Sequence, residues 1–347
     1  MYFNVLQSEY IVNYNGLTNY SNKEILINLA ITVNQKNIYD IDDRLMLENC
    51  ILCPRECGVN RFEGESGFCR TDAGFHVASV CIHMGEEPAI SGPDGIINVF
   101  FEGCNLRCIY CQNHDISQPF SLLNQYRTDL ETLLDRIESL LSAEINSVGF
   151  VSPSHVVPQV KAIIRGLNSH GFSPVTVYNT SSYEKAETLR NLSGLIDVYL
   201  PDFKYVTSSL ASEYSEASDY PEVVIKALKE MYYQKGSALI LDESGRAESG
   251  MLIRHLVLPG HIEESIRVLE TIAEELSPGV NLSLMSQFHP AYKAKNHLLL
   301  NRPLNRDEYE TVVSAMERLG FRNGWVQDMN SFQNYLPDFR KSDPFKI

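Results

Sequence analysis

The sequence predicts an α/β fold: strand–helix units closing a full or partial barrel, with a small cysteine-rich module ahead of them. Three observations carry this. From residue 96 onward, apolar strand-length runs alternate with amphipathic helix-length runs, the pattern of βα units on a parallel sheet. All eight cysteines of the 347-residue chain fall between Cys50 and Cys111. The stretch "CPRECGVNRFEGESGFCR" is dense in turn residues, which suits a small stapled module better than a helix or a long strand.

Residues 1–47 read as an irregular lead-in with one helix near "NKEILINLAITVNQ", and residues 48–90 as the cysteine-rich metal-binding module. The barrel is expected over 91–330, followed by a tail at 331–347. "IINVFFEG" is a buried strand running into a cysteine loop, and "RTDLETLLDRIESLLSA" is a helix by its apolar spacing. "SVGFVSPSH" (strand) precedes "VVPQVKAIIRGLNSHG" (helix), then "PVTVYNTSSY" (strand) and "EKAETLRNL" (helix). "IDVYLPDFKY" is a strand, and "ASEYSEASDYPEVVIKALKEMYYQKG" is helical. A hairpin at 238–249 leads to "MLIRHLVLPG" (strand), "IEESIRVLETIAEEL" (helix), "NLSLMSQFHP" (strand) and "DEYETVVSAMERLG" (helix), and "NGWVQD" closes the series. Barrel chemistry gathers at the C-terminal ends of strands. The residues to inspect are therefore the Cys104 loop, 152–155, 179–182, Asp202, Lys204, Arg254, His255, Ser286 and Gln287.

Cys104, Cys108 and Cys111 form C-x3-C-x2-C just past the first strand of the series. Thiolates so placed can converge on one iron–sulfur cluster. With three ligands, one iron of a [4Fe–4S] cluster keeps an open position, as a catalytic metal requires. S-adenosylmethionine (SAM) can chelate that iron through its amino and carboxylate groups. Its reductive cleavage gives methionine and a 5′-deoxyadenosyl radical, the cofactor carrying the hard chemistry. The plainer alternatives are a zinc site or three buried cysteines. Tyr110 before the last cysteine and Gln112-Asn113 after it weigh toward the cluster.

The loop "GCNLRCIYCQN" resembles the radical SAM superfamily. "CILCPRECGVNR", "EEPAISG", "FVSPSH", "YNTSSYE", "YLPDFKY", "IRHLVLPG", "SLMSQFHP" and "GWVQD" narrow the resemblance to proteins similar to the pyruvate formate-lyase activating enzyme that carry an N-terminal cysteine-rich segment. It spans about residues 50–328. The resemblance implies a partial (β/α)6-type TIM barrel, with Cys104, Cys108 and Cys111 holding the [4Fe–4S] cluster and serving catalysis. Tyr110 would lie by the adenine, and Asn113 would also contact SAM. Residues 152–155 fall where the superfamily has a Gly-Gly-Glu-like grip on the SAM amino group. This chain has neither the glycine pair nor the glutamate, leaving Ser152, Ser154 and His155 to supply hydrogen bonds. His155 reads equally as a residue satisfying a helix start. Asn179 begins a segment loosely aligned with Asp-Thr-Asn. Asp202 and Lys204 match an Asp-x-Lys pattern, and Lys204, a compact cation, suits the SAM carboxylate. A solvated charge pair is the competing reading. Arg254 or His255 would contact SAM or substrate, or else pack and anchor a loop. Met285 and Gln287 carry little weight, a methionine on an apolar strand being usually core.

Cys50, Cys53, Cys57 and Cys69 form C-x2-C-x3-C-x11-C among the turn-making Gly58, Gly64 and Gly67. Four thiolates on such a segment suit a closed metal site that supplies folding energy. Zinc would be structural, and a second Fe–S cluster would relay electrons. The run is not the ferredoxin pattern, so the structural metal is preferred. Cys81 reads as a small buried hydrophobe.

The net charge of −15 argues against nucleic acid, which needs clustered Lys and Arg. No stretch approaches the ~20 apolar residues of a membrane helix, and no signal peptide is visible, so a soluble cytoplasmic protein is expected. The resemblance implies an anaerobic oxidoreductase fed by an external one-electron reductant, a flavodoxin or ferredoxin. Its first implied substrate is a glycyl-radical enzyme, attacked at a backbone glycine. Another protein, a peptide or a small molecule is the second. A non-catalytic iron–sulfur electron carrier is the alternative of a different class.

Overall fold

In chain order the strands are β1 (Phe75–His83), β2 (Ile96–Phe101), β3 (Arg127–Thr128), β4 (Ser147–Val151) and β5 (Val175–Thr180). They continue with β6 (Val198–Pro201), β7 (Ile240–Leu241), β8 (Ala247–Leu256), β9 (Asn281–Met285) and β10 (Asn323–Val326). This computed structural model describes residues 36–118, 126–329, 337–341 and 343–345. Everything below concerns the compact unit that begins at Tyr39. The helix expected near residues 22–35 lies outside the described residues.

The strands join in the order β10-β9-β8-β6-β5-β4-β2-β1-β3, with β7 pairing β8 from outside this path. From β2 to β10 the neighbours along that path are parallel. The result is an open, mostly parallel sheet, the α/β class expected. Its strands read as continuous apolar runs because helices cover them: all six residues of β2 and all four of β6 are buried. The covering helices turn one face inward, Leu133, Leu134 and Ile137 from Leu130–Glu138 and Val268, Leu269 and Ile272 from Ile262–Glu275. The Arg306–Arg318 helix opens with a capping box between Asn305 and Glu308.

Three elements depart from expectation. The segment 75–83, assigned to a turn-rich module, is a nine-residue strand antiparallel to β2. Its His, Ser and Cys content masked a strand buried on both faces. The helical run after residue 205 is two helices, Ser208–Ser215 and Tyr220–Lys235. Glu216 turns left-handed between them, and Pro221 is tolerated in the first turn of the second. The helix expected over 184–192 shrinks to Ala186–Arg190. The hairpin at 238–249 is present as β7–β8.

The cysteine-rich segment packs beside the loop that follows β2. Arg55 Nε donates to the Asn105 carbonyl at 3.0 Å, and Arg107 donates to the Phe68 carbonyl. Thr188 Oγ1 donates to the Leu52 carbonyl at 2.7 Å. Cys81 is buried with Phe100, Ile116, Val151 and Phe339, the apolar role expected of it.

Candidate functional site

A cavity of about 220 Å³ opens at the C-terminal ends of the parallel strands. Gly103 makes the turn out of β2 into it. Its φ is +81°, and a side chain there would stand 2.3 Å from the Cys69 carbonyl oxygen, so only glycine fits. Cys104, Cys108 and Cys111 then follow, all lining the cavity. The Leu106 N–H points to Cys104 Sγ at 3.4 Å. Cys108 Sγ lies 3.1 Å from Ser215 Oγ, and Cys111 Sγ lies 3.2 Å from Ser117 Oγ. Burial pushes the Cys104 thiol up to about 12 and the Cys111 thiol up to about 11. Without a metal these groups are protonated, and a bound metal would hold them as thiolates.

Charged side chains from β8 and from the loops after β6 and β1 line the same cavity. Arg254 is the hub. Its Nε donates to Asp202 Oδ1 (2.9 Å), one terminal nitrogen to Glu86 Oε2 (3.1 Å) and the other to Asn179 Oδ1 (2.6 Å). Lys204 Nζ donates to Asp202 Oδ2 at 2.7 Å. Glu86 Oε1 accepts from Asn98 at 3.0 Å and from Asn179 at 3.3 Å. Burial alone would raise the Asp202 carboxyl, but Arg254 and Lys204 outweigh it and hold the group below the usual range. Burial works against the Lys204 charge in the same way, and Asp202 reverses it. Two fixed cations and two fixed carboxylates in one cavity can receive a zwitterion, each of its ends finding an opposite charge.

Tyr110 also lines the cavity. Its hydroxyl meets that of Tyr205, which lies 3.0 Å from Ser215 Oγ, so a hydroxyl chain runs from Tyr110 to the partner of Cys108. Asn113, Ser152, Asn179, Asp202, Lys204 and Arg254 stand in the wall, and Met285 and Gln287 join them. Three expected residues stand outside it. Ser154 is buried against Thr180, their hydroxyls 3.2 Å apart. His155 Nε2 meets the Glu102 carbonyl at 2.9 Å, and burial pushes its pKa down to about 3. His255 Nδ1 donates to the Phe203 carbonyl at 2.7 Å, and burial pushes its pKa down to about 4. Each contacts the protein's own groups: His255 anchors a loop carbonyl, while His155 reaches a carbonyl 53 positions away rather than the local helix start.

Glu86, Asn98, Tyr205, Ser117 and Ser215 went unmarked in the sequence. Glu86 belongs to "EEPAISG", but its position fell inside the supposed cysteine module. The serines and Tyr205 reach the thiols only through folding. Cys50, Cys53, Cys57 and Cys69 line a second, smaller chamber with Arg55, Arg61 and His155. Among the described residues no three His, Cys, Asp or Glu side chains already surround a single-ion position. No helix among them is long and apolar enough to cross a membrane.

No family model matches the chain. A protein of Methanocaldococcus jannaschii, itself named only as uncharacterized, is 29% identical over 303 residues, 85% of this chain and 80% of that one. Among solved structures, anSMEcpe with bound AdoMet is similar at 13% identity and a TM-score of 0.43, over 69% of this chain and 62% of its own. Streptococcus suis SuiB bound to S-adenosylmethionine is similar at 13% identity and a TM-score of 0.45, over 67% of this chain and 50% of its own. This chain thus spans about half to three-fifths of these two solved chains.

Proposed function

We propose that this chain is a radical SAM enzyme and that the cavity at the ends of the parallel strands is its active site. The observation that carries the reading is the composition of one wall. Three of the eight cysteines line the cavity, the other five lie elsewhere, and the groups beside the three are a fixed set of opposite charges. A three-thiolate donor set with an adjacent zwitterion receptor fits a [4Fe–4S] cluster with an open iron better than it fits a closed zinc site. Held by Cys104, Cys108 and Cys111, such a cluster would supply the electron that cleaves SAM into methionine and the radical that takes hydrogen from the substrate.

The chain's own side chains would bind and orient. Lys204 and Arg254 offer cations to the SAM carboxylate, while Glu86 and Asp202 offer carboxylates to its amino group. Glu86 thereby fills the role that residues 152–155 lack the glutamate to perform. Ser152, Asn179 and Asn113 add polar contacts, and Tyr110 offers a ring to the adenine. An external low-potential donor, a flavodoxin or ferredoxin, supplies the electron. The motif resemblance supports hydrogen abstraction from a backbone glycine of a glycyl-radical enzyme as the narrower reading. Modification of another protein, peptide or small molecule uses the same site.

Anaerobic reconstitution with iron and sulfide, followed by dithionite and SAM, should yield 5′-deoxyadenosine. Cys108→Ala should abolish that product. A cluster that is reduced without forming product identifies an electron carrier instead, and undiminished turnover in the Cys108 variant sinks the cysteine assignment.

A further inference from the structure

Arg61 is 1% exposed, in the interior beside the four N-terminal cysteines. Its donors reach only neutral acceptors: Nε the Thr71 carbonyl (3.1 Å), one terminal nitrogen the His155 carbonyl (2.7 Å), the other the Asp72 carbonyl (2.9 Å) and the Thr71 hydroxyl. Among the described residues no carboxylate pairs with it. A guanidinium cannot shed its proton, and a buried charge without a counter-charge costs several kcal/mol. The one carboxylate in the same wall, Glu56, is 55% exposed and pairs with Lys185, which leaves the thiols of Cys50, Cys53, Cys57 and Cys69 as the buried source of the missing anion.

A second cation stands there too. Arg55 lies over the Phe68 ring at 3.8 Å, and one of its terminal nitrogens is buried with no hydrogen-bond partner. Four thiolates around one divalent ion carry two negative charges, which two guanidinium groups balance. Polar donors already face the sulfurs: the Phe68 N–H is 3.3 Å from Cys57 Sγ, and Thr71 Oγ1 is 3.3 Å from Cys69 Sγ. The centre of a water-sized body has about 10 Å³ open to it in this chamber, room for a single ion between the sulfurs.

We propose that Cys50, Cys53, Cys57 and Cys69 close around a single divalent ion of the zinc class, with Arg61 as the buried counter-charge of the tetrathiolate. The site is structural. It fixes the segment whose Cys69 carbonyl and Phe68 carbonyl brace the 103–107 turn.

The test uses the full-length chain with Cys104, Cys108 and Cys111 all replaced by alanine, purified anaerobically. Elemental analysis should find one zinc per chain and no iron. Iron with sulfide, or no metal, overturns the proposal. Because this variant lacks the thiols of the proposed active site, its result stands or falls independently of SAM cleavage. In the same background Arg61→Met should weaken zinc about 10–100-fold against a chromogenic chelator, with Arg61→Lys recovering most of the loss. Unchanged affinity in the methionine variant overturns the role of Arg61. Should that variant fail to fold, thiol titration of the parent decides. Cysteines protected until a chelator is added support the site, and immediate reaction of all of them rejects it.

Discussion

His255 sets a limit on the pH range of this fold. Its Nδ1–H is committed to the Phe203 carbonyl, and its Nε2 is buried without a partner, so the neutral ring is the folded form. Burial moves its pKa from 6.5 down to about 4. Below pH 6.5 the unfolded chain takes up a proton that the folded chain refuses. Stability contributed by this residue is therefore complete above pH 6.5 and is lost as pH falls toward 4, by about 1.4 kcal/mol per pH unit. His155, pushed down to about 3, adds a slope of the same sign, so His255→Gln should lessen the pH dependence of urea unfolding between pH 7 and 5 by about 1.4 kcal/mol per pH unit without abolishing it. An equal slope in the variant would remove His255 as the cause. The same residue marks what a sequence can convey. Asp202, Lys204 and Arg254 were legible because charges at the ends of apolar strands have few structural uses. His255 sits beside Arg254 in sequence, but strand alternation sends neighbours to opposite faces, and only one of them reaches the cavity. Glu86 was hidden for the opposite reason: it arrives from a loop that no periodicity announces.

At the scale of elements, the three-cysteine loop depends on a turn with no room for a side chain. Gly103→Ala places a methyl group against the Cys69 carbonyl and forces a non-glycine residue to φ +81°. The backbone strain alone costs about 1–3 kcal/mol. We expect the variant to bind less iron after reconstitution, with the zinc proposed at the four N-terminal cysteines retained. Iron content equal to that of the unaltered protein would show that the turn tolerates displacement. The βα series was legible from residue 96 onward because parallel strands buried on both faces are nearly pure apolar runs. β1 was not, since His76, Ser79, Cys81 and His83 break its apolar pattern, although all four are buried. The interruption at Glu216 was also invisible. "ASEYSEASDYPEVV" scores as helix locally, and only the separate packing of the two halves requires a left-handed residue between them.

For the molecule as a whole, residues far apart in the chain meet in one core cluster. Phe339, expected in a tail, is 6% exposed and packs edge-on against Phe100 at 5.4 Å, in a cluster with Cys81, Ile116 and Val151. Phe339→Ala should cost about 3 kcal/mol, read as a lower urea midpoint. A loss below about 0.5 kcal/mol, the scatter of an ordinary surface substitution, would place Phe339 outside the folding core. Such contacts join residues more than two hundred positions apart, and no local pattern encodes them.

If the N-terminal cysteines hold zinc as proposed, the meeting of Cys69 with Gly103 also orders biogenesis. During synthesis the ribosome delivers the N-terminal thiols first, and the later turn is moulded against a surface that must already exist. Iron-loading factors would then encounter three cysteines in their final posture only on chains whose first metal has been installed. Starving a cell of zinc should in that case leave this protein short of iron as well.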